Sequence, residues 1–100
     1  MTTNGGSDVT LDERLRRQDG VLVQQAKGQT VLLRLADGGY YAVDEVGAMI
    51  WELCDGGRAV GEIVALLCEE FDAPEAVVQA DVLEFIDDLR RERLLVFDAT

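Results

Sequence analysis

The spacing of apolar residues changes at Asp44. Before that point they alternate. After it they recur at i, i+3, i+4 and i+7. Alternation belongs to strands and a period of about 3.6 belongs to helices. The chain is therefore constrained to build a sheet first and helices afterwards.

"VLVQQA" (Val21–Ala26) and "TVLLRL" (Thr30–Leu35) are rich in strand formers and flank the short turn "KGQ". Their alternation predicts Val21, Val23, Val31, Leu33 and Leu35 on one face, with Gln24 and Arg34 on the other. "ADGG" (Ala36–Gly39) is a second turn, and "YYAV" (Tyr40–Val43) a third, short strand at the edge of a meander. Asp44 fits an N-cap, with acids suiting a helix start. Val46, Met49, Ile50 and Leu53 then form an inward stripe, with Trp51 off its centre and expected to be partly buried. Gly47 inside this helix points to close packing against the sheet. "DGGR" ends the helix.

A second helix is predicted over Val60–Phe71, with Val60, Ile63, Val64, Leu67 and Phe71 inward. Pro74 opens a third, running to about Glu92, with Val78, Val82, Phe85 and Leu89 as its stripe. Arg90, Arg91 and Arg93 suit its C-terminal end. "LLVF" (Leu94–Phe97) reads as a final short strand. The predicted fold is α+β and winged helix-turn-helix-like: a three-stranded antiparallel β-meander followed by three helices. Residues 1–17 read as a flexible tail and 18–97 as the domain.

The residue inventory removes most chemistry. The 100 residues include no histidine, and the sole serine and asparagine, Ser7 and Asn4, lie in the expected tail. A Ser-His-Asp arrangement, a histidine base and histidine metal ligands are thereby excluded. Cys54 and Cys68 stand on separate predicted helices and read as small core residues. The expectation is no catalytic residue, no metal and no cofactor. No apolar run approaches the ~18 residues of a membrane span, and the first ten residues lack the pattern of a signal peptide. Cytoplasm is the default location.

Charge is unevenly placed. Residues 40–89 hold thirteen acids and one base, Arg58, within a chain of net charge −11. Such a half-molecule repels nucleic acid and anionic membrane. A DNA-reading helix needs Arg, Lys or Asn on its exposed face, whereas the third helix offers Asp81, Glu84, Asp87 and Asp88. An acidic carrier protein would need a serine at a helix start, and none stands there. The acids read either as a solvated face or as a surface for a basic partner.

"GGYYAVDEVGAMIWELCDGG", followed by "VGEIVALLCEEFDAPEAVVQADVLEFIDDLRRERLL", resembles the PqqD family over roughly Gly20 to Leu95. The shared pattern is a glycine-led "YY", an acid or asparagine before a "GA-x-x-W" helix, a "DGG" turn, and an acidic "D-V-x-x-F-x-x-L" helix. Asp44 stands where Asn is usual, and Ala59 where Thr or Ser usually opens the second helix. The resemblance implies a RiPP recognition element. Such a domain does no chemistry itself. It binds the leader of a ribosomally made precursor peptide and presents it to a modifying enzyme, a radical SAM enzyme or a leader peptidase. By that resemblance the leader adds as a strand beside Tyr40, Tyr41, Ala42 and Val43. It lies in the groove to the third helix, where Val78, Asp81, Val82, Leu83, Phe85 and Ile86 are the candidate contacts. Independently, an exposed edge strand is a template for strand addition. The alternative is a structural subunit of a larger enzyme complex that binds no peptide.

Overall fold

The computed structural model describes residues 9–98. Val21–Ala26 (β2), Gln29–Arg34 (β3) and Tyr40–Val43 (β4) form an antiparallel meander in the order β2-β3-β4. The β3–β4 turn is tight because Gly38 takes a positive φ of 75°, which costs glycine little. Its N–H donates to the Arg34 carbonyl at 2.9 Å, while the Arg34 N–H donates to the Gly39 carbonyl at 2.8 Å. Two turn residues thus oppose one strand residue, a glycine-led bulge.

Register reverses the face expected for β3. Val21 lies opposite Arg34, and Val23 opposite Leu32. Thr30 and Leu32 are therefore the buried residues, together with Val43 across the β3–β4 ladder. Val31 and Leu33 are only partly buried, and Leu35 is exposed. "TVLLRL" is apolar at both parities, so alternation alone could not choose the inner face.

Three helices follow: Glu45–Leu53 (α1), Val60–Phe71 (α2) and Glu75–Arg91 (α3). Asp44 caps α1 as expected, its carboxylate accepting from the Gly47 N–H at 2.8 Å. The Glu62 carboxylate accepts from the Ala59 N–H at 2.8 Å, which partly offsets the missing side-chain cap at Ala59. The α2–α3 connection turns at Asp72, in the left-handed region at φ 49°.

A second sheet was not expected. Arg14–Arg17 (β1) lies between Asp55–Ala59 (β5) and Leu95–Phe97 (β6), antiparallel to both. The final strand matches the reading of "LLVF". The other two do not match: "RLRR" fell inside the expected flexible tail, and "DGGRA" read as a helix end. Residues 1–8 of that tail lie outside the described residues. From Val9 onward the segment is folded, and both Val9 and Leu15 belong to the core.

This sheet also explains Trp51, which is 2% exposed where partial burial was expected. It belongs to one core cluster that joins Leu32 and Val43 of the meander to Leu15, Leu94 and Leu95 of the second sheet, a larger core than the predicted meander alone could supply. Arg17 of β1 donates to the carbonyls of Trp51 at 3.1 Å and Glu52 at 2.8 Å. It thereby satisfies the open end of α1, which has no base in its own last turn. Near the end of α3, Asp87 is buried and pairs with Arg90 and Arg91, each at 2.9 Å.

Candidate functional site

β4 is an edge strand with β3 on one side only. In an antiparallel ladder, opposed residues alternate between bonded and non-bonded pairs. The Arg34 N–H bonds the Gly39 carbonyl, and the register continues Leu33↔Tyr40, Leu32↔Tyr41, Val31↔Ala42 and Thr30↔Val43. The bonded pairs are therefore those of Tyr41 and Val43. The backbone N–H and C=O of Tyr40 and Ala42 point away from β3, to the open side. The side chains divide likewise. Val43 is buried and Tyr41 half-buried, whereas Ala42 is exposed and Tyr40 is 75% exposed.

Helix α3 flanks this edge. The Tyr41 phenol titrates above its ordinary value, first because of burial and then because Asp88 and Glu92 lie near it. Arg34 of β3 pairs with the Glu92 carboxylate at 3.6 Å and donates to the Glu92 carbonyl. At the other end of the strand, the Phe85 ring of α3 closes on Gly47. A Cβ at Gly47 would lie 2.9 Å from the tip of that ring and 3.0 Å from the Val43 Cβ. The glycine of the "GA-x-x-W" helix is therefore a spacer, letting α3, α1 and β4 meet. Gly47→Ala is expected to destabilise the fold despite the roughly 1 kcal/mol that alanine gains in a helix. Overpacking of this kind typically costs about 1–3 kcal/mol. Chemical denaturation is the check, and an unchanged or raised midpoint would contradict the spacer role.

Between the start of α1 and α3 lies a cleft of about 380 Å³ lined by Asp44, Gly47, Asp81, Glu84, Phe85 and Asp88, among others. Its wall carries four carboxylates and no base. Asp44 is engaged in capping α1. Asp81, Glu84 and Asp88 stand at i, i+3 and i+7 on α3, a column of like charge that disfavours the helix locally. Each belongs to the half of the chain with one arginine, and that arginine, Arg58, is paired with Asp55 at 2.9 Å.

The sequence-derived α3 residues separate into three groups. Asp81 and Phe85 line the cleft, and Val78 borders an adjoining one. Val82, although buried, lines that adjoining cleft at its floor, whereas Ile86 is 0% exposed and belongs to the core. Leu83 sits two positions before Phe85, about 200° away around the helix, on the opposite flank. Asp44, Glu84 and Asp88 also line the cleft and were not among the candidates, although their signal was available. They follow from the acid spacing on the Phe85 side of the helix once the core stripe is known.

The groups this surface presents suit recognition more than bond-making. It offers open backbone donors and acceptors, a half-buried aromatic, an apolar floor and carboxylates. The Cys54 thiol is pushed up to about 12, mainly by burial, which leaves it inert. Among the described residues no group of three or more His, Cys, Asp or Glu is placed to hold a metal ion. No helix among them is long and apolar enough to cross a membrane.

A family model described as coenzyme PQQ synthesis protein D (PqqD) matches residues 29–95. A PqqA binding protein of Xanthomonas axonopodis pv. citri is 34% identical over 89 residues, which is 89% of this chain and 97% of that protein. TbiB1, solved in complex with the TbiA(beta) leader peptide, superposes with a TM-score of 0.70 and 32% identity over 80% of this chain and 93% of that one. The solution structure of the PqqD truncation of Methylobacterium extorquens PqqCD, a functional stand-alone RiPP recognition element, gives a TM-score of 0.75 at 25% identity, covering 90% of this chain and 96% of that one.

Proposed function

The chain belongs to the PqqD family, and from that membership we propose that it binds the leader of a ribosomally synthesised precursor peptide and presents it to a modifying enzyme, without catalysing a reaction itself. The observation carrying this reading is the open edge of β4 beside the α3 cleft. The outward N–H and C=O groups of Tyr40 and Ala42 supply the rungs of one more strand. In strand addition the main chain gives affinity and the flanking pockets give specificity. β2 is also an edge, but its residues are almost all exposed, so a strand added there would meet little beyond backbone. The partner enzyme is a radical SAM enzyme or a leader peptidase, and a soluble, cytoplasmic setting suits that role.

Calorimetry with a synthetic precursor leader in the presence of chelator tests the reading. One-to-one binding by the protein alone, with the peptide recovered intact, is expected. No binding, with the protein retained only on a modifying enzyme, would make it a structural subunit instead. Metal-dependent binding or turnover of the peptide would also overturn the proposal.

The acids predict how such binding responds to salt. Exposed ion pairs contribute about 0.2–1 kcal/mol each, while steering acts chiefly on association. For a leader carrying Lys or Arg near its docked strand, stopped-flow association is expected to slow more between low and high salt than the affinity falls. Association rates that stay flat with ionic strength would reduce the acids to a solubilising role.

A further inference from the structure

A second cleft opens beside the first. It has a volume of about 300 Å³ and lies where the start of α1, the end of α2 and the start of α3 meet. Its lining is apolar apart from Asp81, and it shares Val46, Ile50 and Asp81 with the acidic cleft. The two adjoin at these residues, and the acidic cleft includes Asp44, the residue that follows Val43 of β4. Val46, Phe71 and Val77 belong to this lining and are all exposed, Val77 by 54%. Val46 and Phe71 were expected to point into the core; they stand at the cleft instead.

Resting on the leader-docking reading, we propose that this apolar cleft is a second pocket for the same peptide. It takes one large apolar side chain of the leader, while a neighbouring Lys or Arg lies over Asp81, Glu84 and Asp88. Two observations select this occupant. The acidic cleft begins at Asp44, directly after β4, and adjoins the apolar one at Val46 and Ile50, so a strand laid along Tyr40–Val43 and running past Val43 heads for that shared wall. The approach is also electrostatically one-sided, since the acid column on α3 has no base among the residues lining either cleft. A second copy of this chain, with net charge −11, would be repelled there. A cationic peptide would relieve the like-charge column, and its apolar side chain would remove Val77 and Phe71 from water.

The ligand signature is therefore an extended segment followed at fixed spacing by a basic residue and a large apolar residue. Selection of a phage-displayed library of random 16-residue peptides tests it, using the full chain, Val77→Gln, Phe71→Gln and Ala42→Pro. Val77 is exposed and glutamine is a good helix former, so this variant is expected to keep its fold; Phe71→Gln probes the same pocket from α2. The wild type is expected to enrich peptides with Leu, Ile, Phe or Trp at one spacing from Lys or Arg. A synthetic consensus peptide should bind at least tenfold more tightly than its version with alanine at the apolar position. On Val77→Gln and Phe71→Gln that difference should vanish while the basic preference persists. If both variants select the wild-type consensus with the apolar position intact, the pocket assignment is wrong, whatever the fate of strand docking. If enrichment on Ala42→Pro equals that on wild type, the leader-docking reading fails at its edge strand, and this inference fails with it.

Discussion

Ala42→Pro is expected to leave the protein folded and to weaken leader binding at least tenfold, whereas Tyr41→Pro is expected to unfold it. The two positions are adjacent in sequence and opposite in function. Proline removes one N–H and holds φ near about −65°. At Ala42 the lost donor faces the open side, and the methyl it replaces is exposed. A docked strand would lose a hydrogen bond and meet the proline ring. Tenfold corresponds to about 1.4 kcal/mol, close to one hydrogen bond's net contribution. At Tyr41 the lost donor belongs to the bonded pair with Leu32, in the middle of the β3–β4 ladder, and a loss of about 3 kcal/mol or more is expected. Tyr41→Ala is the control, since it removes the ring and keeps the N–H. Thermal unfolding with leader titration separates the outcomes. If Ala42→Pro retains both its midpoint and full leader affinity, the peptide does not add to β4.

The other large effect concerns a segment whose composition promises nothing. Removing residues 1–17 deletes β1 from the middle of its sheet, leaving β5 and β6 without a shared partner. The truncated chain is expected not to fold. Leu15→Ala gives the graded version. Leu15 is 2% exposed within the core, and truncating a buried leucine costs about 2–5 kcal/mol. Circular dichroism and denaturant titration are the checks. A truncated protein that melts cooperatively near the full-length midpoint would return the segment to the status of a tail.

That contrast marks where the sequence was legible. α2 was read to its observed bounds because five apolar residues repeat at helical spacing, and the α1 cap because aspartate before an apolar stripe has a direct mechanical meaning. β1 was hidden because "RLRR" contains a single apolar residue, and its neighbour "DGGRA" is rich in the residues that usually end elements. A strand recognised only by its partners carries little signal of its own. Trp51 was misjudged for a related reason: the core it joins is larger than the one a single meander would make. At the candidate site, the edge strand was legible but its parity was not. The parity rests on the bulge at Gly38, which sets the Arg34–Gly39 pair and so every pair after it. Ile86 entered the candidate set because a helix bordering a groove also borders a core, and spacing alone does not separate the two flanks.

Synthesis runs from β1 to β6, so the sheet β5-β1-β6 cannot be complete until its last strand has left the ribosome. The meander β2-β3-β4 closes only short loops and needs nothing downstream of Val43 for its pairing. Short-range pairing forms early, while closure across nearly the whole chain is slow. The β4 edge can therefore pair on a nascent chain whose core still lacks Leu94 and Leu95, while the arginine-rich β1 has at most β5 on one side and keeps its other edge open. Those arginines act as gatekeepers meanwhile, since charge on an open strand edge discourages association with other chains. The composition that hid β1 from sequence reading is what protects it until β6 arrives.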